Sequence, residues 1–293
     1  MPCFGMGRYI EQALKSVDGQ SFRNWEVIAV DDCGPNDGTD AAVAAFAGRY
    51  PNNRIDLIRH DQNRGVSAAR NTAIAAARGE FIAFLDPDDY WLPRHLENSL
   101  AEFRKQPETS VVSSMVRMID EEKKTVEEYG PVEFDRNWFP ASLAMRNFIQ
   151  PSATVVRREI LATVSGFDTT PQMQHVEDWD LWIKLAGQQF LFIFRPEADC
   201  VYRKHAGAAT SNTTTMNDRI SFLMSKHLSF FNNHMSSLIH ELACRAEYSE
   251  FDTATKLALL NDKVDGPLMK AIRFIDRGLG RIGSIFGSSG KDE

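Results

Sequence analysis

Three carboxylates stand directly behind a short apolar run, in the segment Asp86-Pro87-Asp88-Asp89. The run itself, residues 81–85, predicts a buried strand, so the carboxylates lie at a strand end. Carboxylate oxygens are hard ligands that suit Mg²⁺ or Mn²⁺, and these ions complete their coordination with phosphate and water oxygens. An acidic turn is the alternative, because Asp-Pro-Asp-Asp also has good turn chemistry. Taken alone, the segment favours neither interpretation.

A second acidic strand end precedes this one in the chain. The apolar run at residues 25–30 ends at Asp31-Asp32, and a loop with two glycines follows. Ligands of open α/β sheets bind beyond the carboxyl ends of strands, where Asp32 would accept hydrogen bonds from a base N–H or a ribose hydroxyl. The alternative for this pair is a turn or a helix cap. A dinucleotide site is less favoured, since no GxGxxG follows a predicted strand and no GxxxxGK[ST] occurs.

The elements around these sites predict an α/β fold. Short apolar runs alternate with helical patterns, which is typical of a parallel or mixed sheet covered by helices. The patterns place strands at 25–30, 55–59, 81–85 and 110–119, and helices at 9–17, 40–50, 67–78 and after Pro93. Residues 131–151 are irregular and aromatic, as expected of a loop-rich region that closes over a site.

Composition excludes several classes of protein. Of the 293 residues, 43% are hydrophobic and 25% are charged, which is typical of a soluble globular chain. The net charge of −7 argues against nucleic acid as a partner. Four scattered cysteines without a CxxC pair argue against structural zinc and predict a reduced, cytoplasmic setting. No apolar run reaches the roughly 18 residues that a spanning helix needs.

A series of motifs then follows in a fixed order along the chain. They are EVIAVDD at 26–32, NDGT at 36–39, NRGVSAARN at 63–71, GEFIAFLDPDD at 79–89, GFD at 166–168, EDWDLW at 177–182 and YRKH at 202–205. This ordered set resembles the family 2 glycosyltransferases of GT-A fold, over roughly residues 1–210. The resemblance implies a Rossmann-like, mixed and mainly parallel sheet flanked by helices. It implies a nucleotide-sugar half at 1–90, an acceptor half at 91–210 and a helical C-terminal extension at 211–293.

The function implied by the resemblance is inverting transfer of a sugar from a nucleoside diphosphate sugar to an acceptor hydroxyl. A UDP-sugar is the expected donor, a saccharide or lipid-linked molecule the expected acceptor, and Mn²⁺ or Mg²⁺ the expected cofactor. Bacterial polysaccharide or glycolipid synthesis is the expected setting. A catalytically silent sugar-nucleotide-binding protein is one alternative, and a nucleotidyltransferase that releases pyrophosphate is another.

The resemblance also implies roles for individual residues. Asp178 corresponds to the catalytic base, Asp88 to the direct metal ligand and Asp86 to a contact with the ribose or with a group bound to the metal. The expected nucleotide contacts besides Asp86 are Pro2 and Phe4 beside the base, Asp32 on the base, and Arg70 in the nucleotide half. Accessory roles are expected for Glu177, Trp179 and His205.

Each accessory assignment has an alternative. Glu177 and Asp178 open a helical pattern, and acidic residues in a first turn oppose the helix dipole favourably. Trp179 is either a core residue or a wall of the acceptor pocket. His205 either helps to hold the diphosphate or metal or makes an ordinary polar contact.

Both ends of the chain depart from the family pattern. Family members begin with a short apolar strand before the Pro-x-aromatic segment, whereas this sequence starts at Met1-Pro2. We therefore expect either a natural start upstream of Met1 or another segment in the place of that strand. Residues 264–286 predict a basic amphipathic helix, which would contact the inner face of a membrane peripherally, pack on the domain or form a dimer.

Overall fold

The computed structural model describes residues 1–120, 124–205 and 213–234. The predicted basic helix at 264–286 therefore lies outside the described residues. The strands are β1 (Pro2–Cys3), β2 (Val27–Asp31), β3 (Ile55–Arg59), β4 (Phe81–Ala83), β5 (Tyr90–Trp91), β6 (Thr109–Asp120), β7 (Thr125–Tyr129), β8 (Thr154–Arg157) and β9 (Leu191–Lys204). The helices are α1 (Gly7–Asp18), α2 (Thr39–Arg49), α3 (Val66–Ala76), α4 (His95–Lys105), α5 (Glu133–Asn137), α6 (Ala141–Met145), α7 (Arg158–Thr163), α8 (Glu177–Gly187) and α9 (Thr213–Lys226). None of these helices is long and apolar enough to cross a membrane.

The N-terminal sheet is parallel, in the order β1-β2-β3. All residues of β2 are buried, as is typical of a strand covered on both faces. Helix α1 buries one apolar stripe, at spacings that return to the same face every three or four residues, and four of its residues join the hydrophobic cluster that contains Val27 and Ala29 of β2. The stripe consists of Tyr9, Ile10, Ala13, Leu14 and Val17.

The second sheet is mixed, in the order β4-β8-β6-β9-β5, with β7 on β6. Its strands pair antiparallel except for β6 and β9, which run parallel. The predicted mixed α/β class is confirmed, and parallel pairing predominates in the N-terminal sheet alone. The region 131–151, predicted to be loop-rich, contains the five-residue helices α5 and α6.

A cavity of about 860 Å³ separates β2 from β4. Apolar side chains of both strands line it, among them Val27, Ile28, Phe81 and Ile82. Strand β1 has two residues and continues toward this cavity as Met1, whose amino group donates a hydrogen bond to the Ile28 carbonyl at 3.0 Å. The place of the expected first strand is therefore filled only as far as Met1.

Helix α9 packs into the same core as α8. Its Ile220 and Leu223 join the hydrophobic cluster that contains Trp182. The fully buried Asp180 of α8 accepts hydrogen bonds from Lys226 at 2.6 Å and from His227 at 2.7 Å. Burial opposes ionisation of Asp180, but these hydrogen bonds and the charge of Lys184 hold its pKa well below the usual range. The described part of the predicted C-terminal extension is thus packed onto the domain before it.

Gly7 opens α1 at a point where the chain approaches another backbone segment closely. The Asp37 carboxylate accepts the Gly7 N–H at 2.8 Å, which satisfies one of the first-turn donors of the helix. A Cβ atom at position 7 would lie 2.0 Å from the Asp37 carbonyl oxygen. We expect Gly7→Ala to lower the free energy of unfolding by about 1–3 kcal/mol in urea titrations, because the backbone has to move.

Gly48→Ala is the matched control for this variant. Gly48 is exposed in α2, and a Cβ atom there would meet nothing within 4 Å. Alanine at such a helical position is expected to stabilise by up to about 1 kcal/mol, because it restricts the unfolded chain. Equal stabilities of the two variants would contradict the close approach at Gly7.

Candidate active site

The two acidic strand ends meet at one edge of the molecule. Strand β4 leads through the buried Phe84 and Leu85 to Asp86, and β2 ends at Asp31. Cys3 of β1 lies near both carboxylates. Burial raises the pKa of its thiol to about 12, and the charges of Asp31 and Asp86 both contribute to the increase.

Arg70 of α3 joins the acidic segment to the start of α8. Its Nη2 donates to both carboxylate oxygens of Asp86, at 2.9 and 3.0 Å. Its Nη1 donates to Oε1 of Glu177 at 2.9 Å. The Arg70 side chain is 5% exposed, and its carboxylate partners offset the cost of burying its charge. Arg70, a predicted nucleotide contact, therefore donates hydrogen bonds from both terminal nitrogens to protein carboxylates.

The neighbouring Asn71 connects two motifs that are distant in the sequence, NRGVSAARN at 63–71 and GFD at 166–168. Its side-chain amide donates to the Phe167 carbonyl at 2.7 Å and accepts the Phe167 N–H at 2.9 Å. Gly166 has a φ of +64°, and a Cβ atom there would lie 2.4 Å from the Asn71 amide oxygen. The Arg70 guanidinium lies 5.2 Å from the centre of the Phe167 ring. Residues 166–168 are thereby fixed against α3.

Asp88 faces the end of β9. Its Oδ2 lies 3.2 Å from Nε2 of His205, the residue that follows the strand. The neighbouring Asp89 is buried and accepts the Arg203 N–H at 3.0 Å, which fixes β9 against the acidic segment. Burial and the Asp86 carboxylate raise the pKa of Asp88. The structure therefore brings His205 together with the predicted metal ligand.

The donor atoms at this point fit a divalent cation. A carboxylate oxygen and an imidazole nitrogen converge from separate segments, and Mn²⁺ accepts both ligand types. A cation would also offset the crowding of negative charge that raises the pKa of Asp88. Within residues 1–120, 124–205 and 213–234, no group of three or more His, Cys, Asp or Glu side chains is arranged to hold a metal. Phosphate and water oxygens would have to complete the coordination.

Asp178 lies in the first turn of α8, partly exposed. Its Oδ2 accepts a hydrogen bond from the Asn147 amide at 2.8 Å, and its Oδ1 accepts the Trp179 N–H at 2.8 Å. Burial and the adjacent Glu177 carboxylate raise the pKa of Asp178 to about 7. A carboxylate with a pKa near neutrality is suited to general-base catalysis.

The other acidic residues in this turn have different partners. Glu177 pairs with Arg70, and Asp180 pairs with Lys226 of α9 and Lys184 of α8. Among the residues that the structure describes, no cation lies within salt-bridge distance of Asp178, the third carboxylate of this turn. The space between Asp178, Asp86 and Asp88 is called the crevice below. All three carboxylates still oppose the positive end of the helix dipole, so the structural and chemical interpretations of the EDWD motif hold together.

Three of the predicted nucleotide contacts, Pro2, Phe4 and Asp32, lie at the end of the N-terminal sheet. Asp32 is 2% exposed, and its carboxylate oxygens accept hydrogen bonds from His60 Nδ1 at 2.6 Å, Arg64 N at 2.9 Å and Gly65 N at 2.7 Å. Asp32 thus fixes the loop before α3. Pro2 lies in β1, and the ring of Phe4 beside it is 52% exposed.

Several residues at the site carried no sequence signal of their own. Asn147 lies in an irregular stretch, and His60 follows β3 outside any motif. Tyr202 belongs to the YRKH motif without an assigned role. Burial and the surrounding Asp89, Asp88, Asp86 and Asp178 raise its pKa, which places its phenol among these carboxylates. Trp179, which was expected either in the core or as a wall of the acceptor pocket, lies in the core and is 4% exposed. Its indole N–H donates a hydrogen bond to the Leu143 carbonyl.

The profile of the family described as "Glycosyl transferase family 2" matches residues 1–163, more than half of the chain. The chain belongs to this family. An uncharacterized protein of Mycobacterium tuberculosis is 32% identical to this family 2 chain over 206 residues, which is 69% of the chain and 57% of that relative. The chain thus spans a little over half the length of its mycobacterial relative.

Two further proteins are similar to this chain, one over part of its sequence and one in its fold. The UDP-Glc:alpha-D-GlcNAc-diphosphoundecaprenol beta-1,3-glucosyltransferase WfgD of Escherichia coli is 36% identical over 105 residues, 36% of this chain and 40% of WfgD. The mannosyltransferase PcManGT from Pyrobaculum calidifontis, solved with GDP-Man and Mn²⁺, superposes with a TM-score of 0.58 at 21% identity. The superposition covers 89% of this family 2 chain and 77% of PcManGT, and it confirms the GT-A fold.

Proposed function

We propose that this chain transfers a sugar from a nucleoside diphosphate sugar to an acceptor hydroxyl, with inversion and with a divalent cation. The observation that carries the proposal is the position of Asp178. It is a carboxylate with a pKa raised to about 7, linked through Glu177 and Arg70 to the acidic strand end at Asp86. One end of the site therefore suits proton removal, and the other suits a diphosphate that a divalent cation would join to the carboxylates.

Asp178 acts as the base on the acceptor. In a direct displacement the acceptor oxygen attacks the anomeric carbon from the face opposite the leaving diphosphate, and its proton passes to Oδ1 or Oδ2 of Asp178. Each of these oxygens accepts one protein hydrogen bond, which leaves a further lone pair for the proton. Glu177 and Asp86 are held by Arg70, so neither is placed as a second nucleophile.

Asp88 and His205 stand at the leaving-group end. A divalent cation bound between them would offset the charge that develops on the diphosphate. Arg70 holds Asp86 in position beside them and thereby acts on the nucleotide through that carboxylate. Phe4, exposed at the end of β1, is available to pack on a base.

Polysaccharide or glycolipid synthesis is the setting that the relatives support. WfgD is named for UDP-Glc and an alpha-D-GlcNAc-diphosphoundecaprenol acceptor, and PcManGT was solved with GDP-Man. We propose a UDP-sugar as donor and a saccharide or lipid-linked acceptor, and the panel below includes GDP-Man because the same fold holds it.

The test is release of nucleoside diphosphate from UDP-Glc, UDP-GlcNAc and GDP-Man, with alkyl glycosides as acceptors and with Mn²⁺ or EDTA. We expect release from one donor that requires the cation and increases with acceptor. Stabilisation by a donor in a thermal-shift assay without any release would instead identify a silent binding protein. Pyrophosphate release from a nucleoside triphosphate would identify a nucleotidyltransferase.

The pH dependence of turnover provides a second check. Because the pKa of Asp178 is raised to about 7, the base is ionised above this pH and protonated below it. We expect kcat to fall about tenfold per pH unit below the pKa and to reach a plateau above it. A kcat that stays level down to pH 5 would contradict the assignment of Asp178 as the base.

A further inference from the structure

We propose that Asn147 is a positioning residue, whose amide holds the Asp178 carboxylate in the orientation that receives the acceptor proton. This inference rests on the proposed function of Asp178 and adds a residue to it. Its basis is the 2.8 Å hydrogen bond from Asn147 Nδ2 to Asp178 Oδ2, between residues 31 positions apart.

The amide of Asn147 has one defined orientation. Its Oδ1 accepts the Ile149 N–H at 3.3 Å, so the NH₂ group is the part that faces Asp178. A reversed amide would place its oxygen against a carboxylate oxygen and lose both hydrogen bonds. The main chain is also fixed, because the Asn147 carbonyl accepts the Tyr129 hydroxyl.

The preceding residue fixes the segment from its other side. Arg146 donates to the Gly130 carbonyl at 3.2 Å and pairs with the buried carboxylate of Asp135 in α5. Its guanidinium also lies 5.5 Å from the centre of the Phe148 ring. Asn147 is therefore preorganised by contacts that involve neither Asp178 nor the crevice, as a residue that orients a catalytic group has to be.

The hydrogen bond also acts on the charge of Asp178. Glu177 of α8 disfavours the ionised carboxylate, whereas Arg70 of α3 and the Asn147 amide favour it. Burial raises the pKa of the Tyr129 phenol in β7 and of the Tyr202 phenol in β9, and the charge of Asp178 adds to the increase in each. Removal of the amide takes away a donor to the ionised form, so the pKa of Asp178 has to rise.

The test compares Asn147→Ala with Asn98→Ala. Asn98 is a matched control, because its amide also donates to a carboxylate, that of Asp199 at 3.1 and 3.2 Å, outside the site. In Asn147→Ala we expect the acidic inflection of the kcat profile to move up by about one pH unit. We expect kcat on the alkaline plateau to fall about tenfold, since a freed carboxylate is misaligned, and donor affinity to stay within about twofold. Asn98→Ala should keep the wild-type inflection.

Asn147→Asp provides a second variant of the same shape. It places a like charge against Asp178 and should move the inflection further up than Asn147→Ala. An unchanged inflection in both Asn147 variants, with a loss of kcat that is uniform across pH, would mean a merely structural role and overturn the proposal. An equal shift in Asn98→Ala would overturn it as well.

Titration of the Asp178 carboxyl by ¹³C NMR, in protein labelled at aspartate, separates this inference from the proposed function. It needs no turnover. A higher pKa in Asn147→Ala than in the wild type supports the positioning role even if no donor is consumed, in which case the transferase proposal alone falls. Equal pKa values in an active enzyme would overturn the positioning role and leave the transferase proposal intact.

Discussion

Asp178→Asn is expected to reduce sugar transfer by about 10²–10⁴-fold at pH 8, because general-base assistance contributes on that scale. Asparagine keeps the size of the side chain and its contacts in the first turn of α8, but it does not accept the acceptor proton. Donor affinity should stay within about threefold, since Asp178 is on the acceptor side and Asp86 and Asp88 keep their partners. Initial rates of nucleoside diphosphate release and donor titration by calorimetry measure the two quantities.

Asp199→Asn is the matched control for Asp178→Asn. Asp199 also accepts an asparagine amide, from Asn98, but lies in β9 away from the crevice. Its replacement should leave turnover within about threefold of the wild type. Turnover near the wild-type level in purified Asp178→Asn would refute the role of this carboxylate as the base.

The same variant should gain stability at alkaline pH. The pKa of Asp178 is raised to about 7 in the fold, above its ordinary value of about 4 in the unfolded chain, so stability is lost progressively as the pH rises from about 4 to 7 and the loss is complete above pH 7. At pH 8.5 the ionised side chain therefore costs on the order of a few kcal/mol, which asparagine removes. Urea titrations should show Asp178→Asn gaining little relative to the wild type near pH 4, an intermediate amount at about pH 5.5 and the full amount at about pH 8.5.

Arg70→Met is expected to lower the free energy of unfolding by about 3–5 kcal/mol at pH 7, the usual cost of removing one partner from a buried ion pair. The substitution leaves Glu177, whose side chain is 8% exposed, without its cation. It also removes the ion pair that holds the Asp86 carboxylate near Asp88. Arg70→Lys should recover only part of the loss, because an ammonium group does not replace the two-sided fork of a guanidinium. Urea unfolding measures both variants.

Arg94→Met is the control for the Arg70 variants. Arg94 pairs with Glu97 at the surface, where the two side chains are 68% and 44% exposed. Such pairs contribute about 1 kcal/mol or less. A loss in Arg70→Met no larger than that in Arg94→Met would contradict the view that Arg70 connects the acidic segment to α8.

The strands and motifs of this site were predicted more accurately from the sequence than the side-chain contacts that connect them. Strand β3 was predicted at 55–59 as the structure has it, and β2 and β4 were placed within a few residues of their observed bounds. Apolar periodicity determines such elements locally, and ligand chemistry at the ends of parallel strands follows from the fold class. The two acidic strand ends were therefore recognisable from the residues themselves as candidates for one site, whereas the EDWD motif was assigned to that site through the family resemblance.

The connections depend on contacts between distant positions, which periodicity does not encode. Arg70 and Glu177 are 107 residues apart, and the interpretation of Arg70 as a nucleotide contact did not include this pair. The choice of Asp178 among the acidic residues of its turn depends on cations supplied by α3 and α9. Asn147 lies in an irregular segment, where neither its neighbours nor its spacing distinguish it from other polar residues.

The configuration of the product tests the central claim, a single-base transfer at Asp178, most directly. The anomeric proton of the sugar is followed by ¹H NMR from the start of the reaction with the donor that the protein consumes. We predict that the first product formed has the anomeric configuration opposite to that of the donor. The reason is that the proposed site has one carboxylate placed as a base and none placed as a nucleophile, which corresponds to a single displacement. A product that retains the donor configuration would contradict the account, since it requires a second nucleophile that the arrangement of Glu177, Asp86 and Arg70 does not supply.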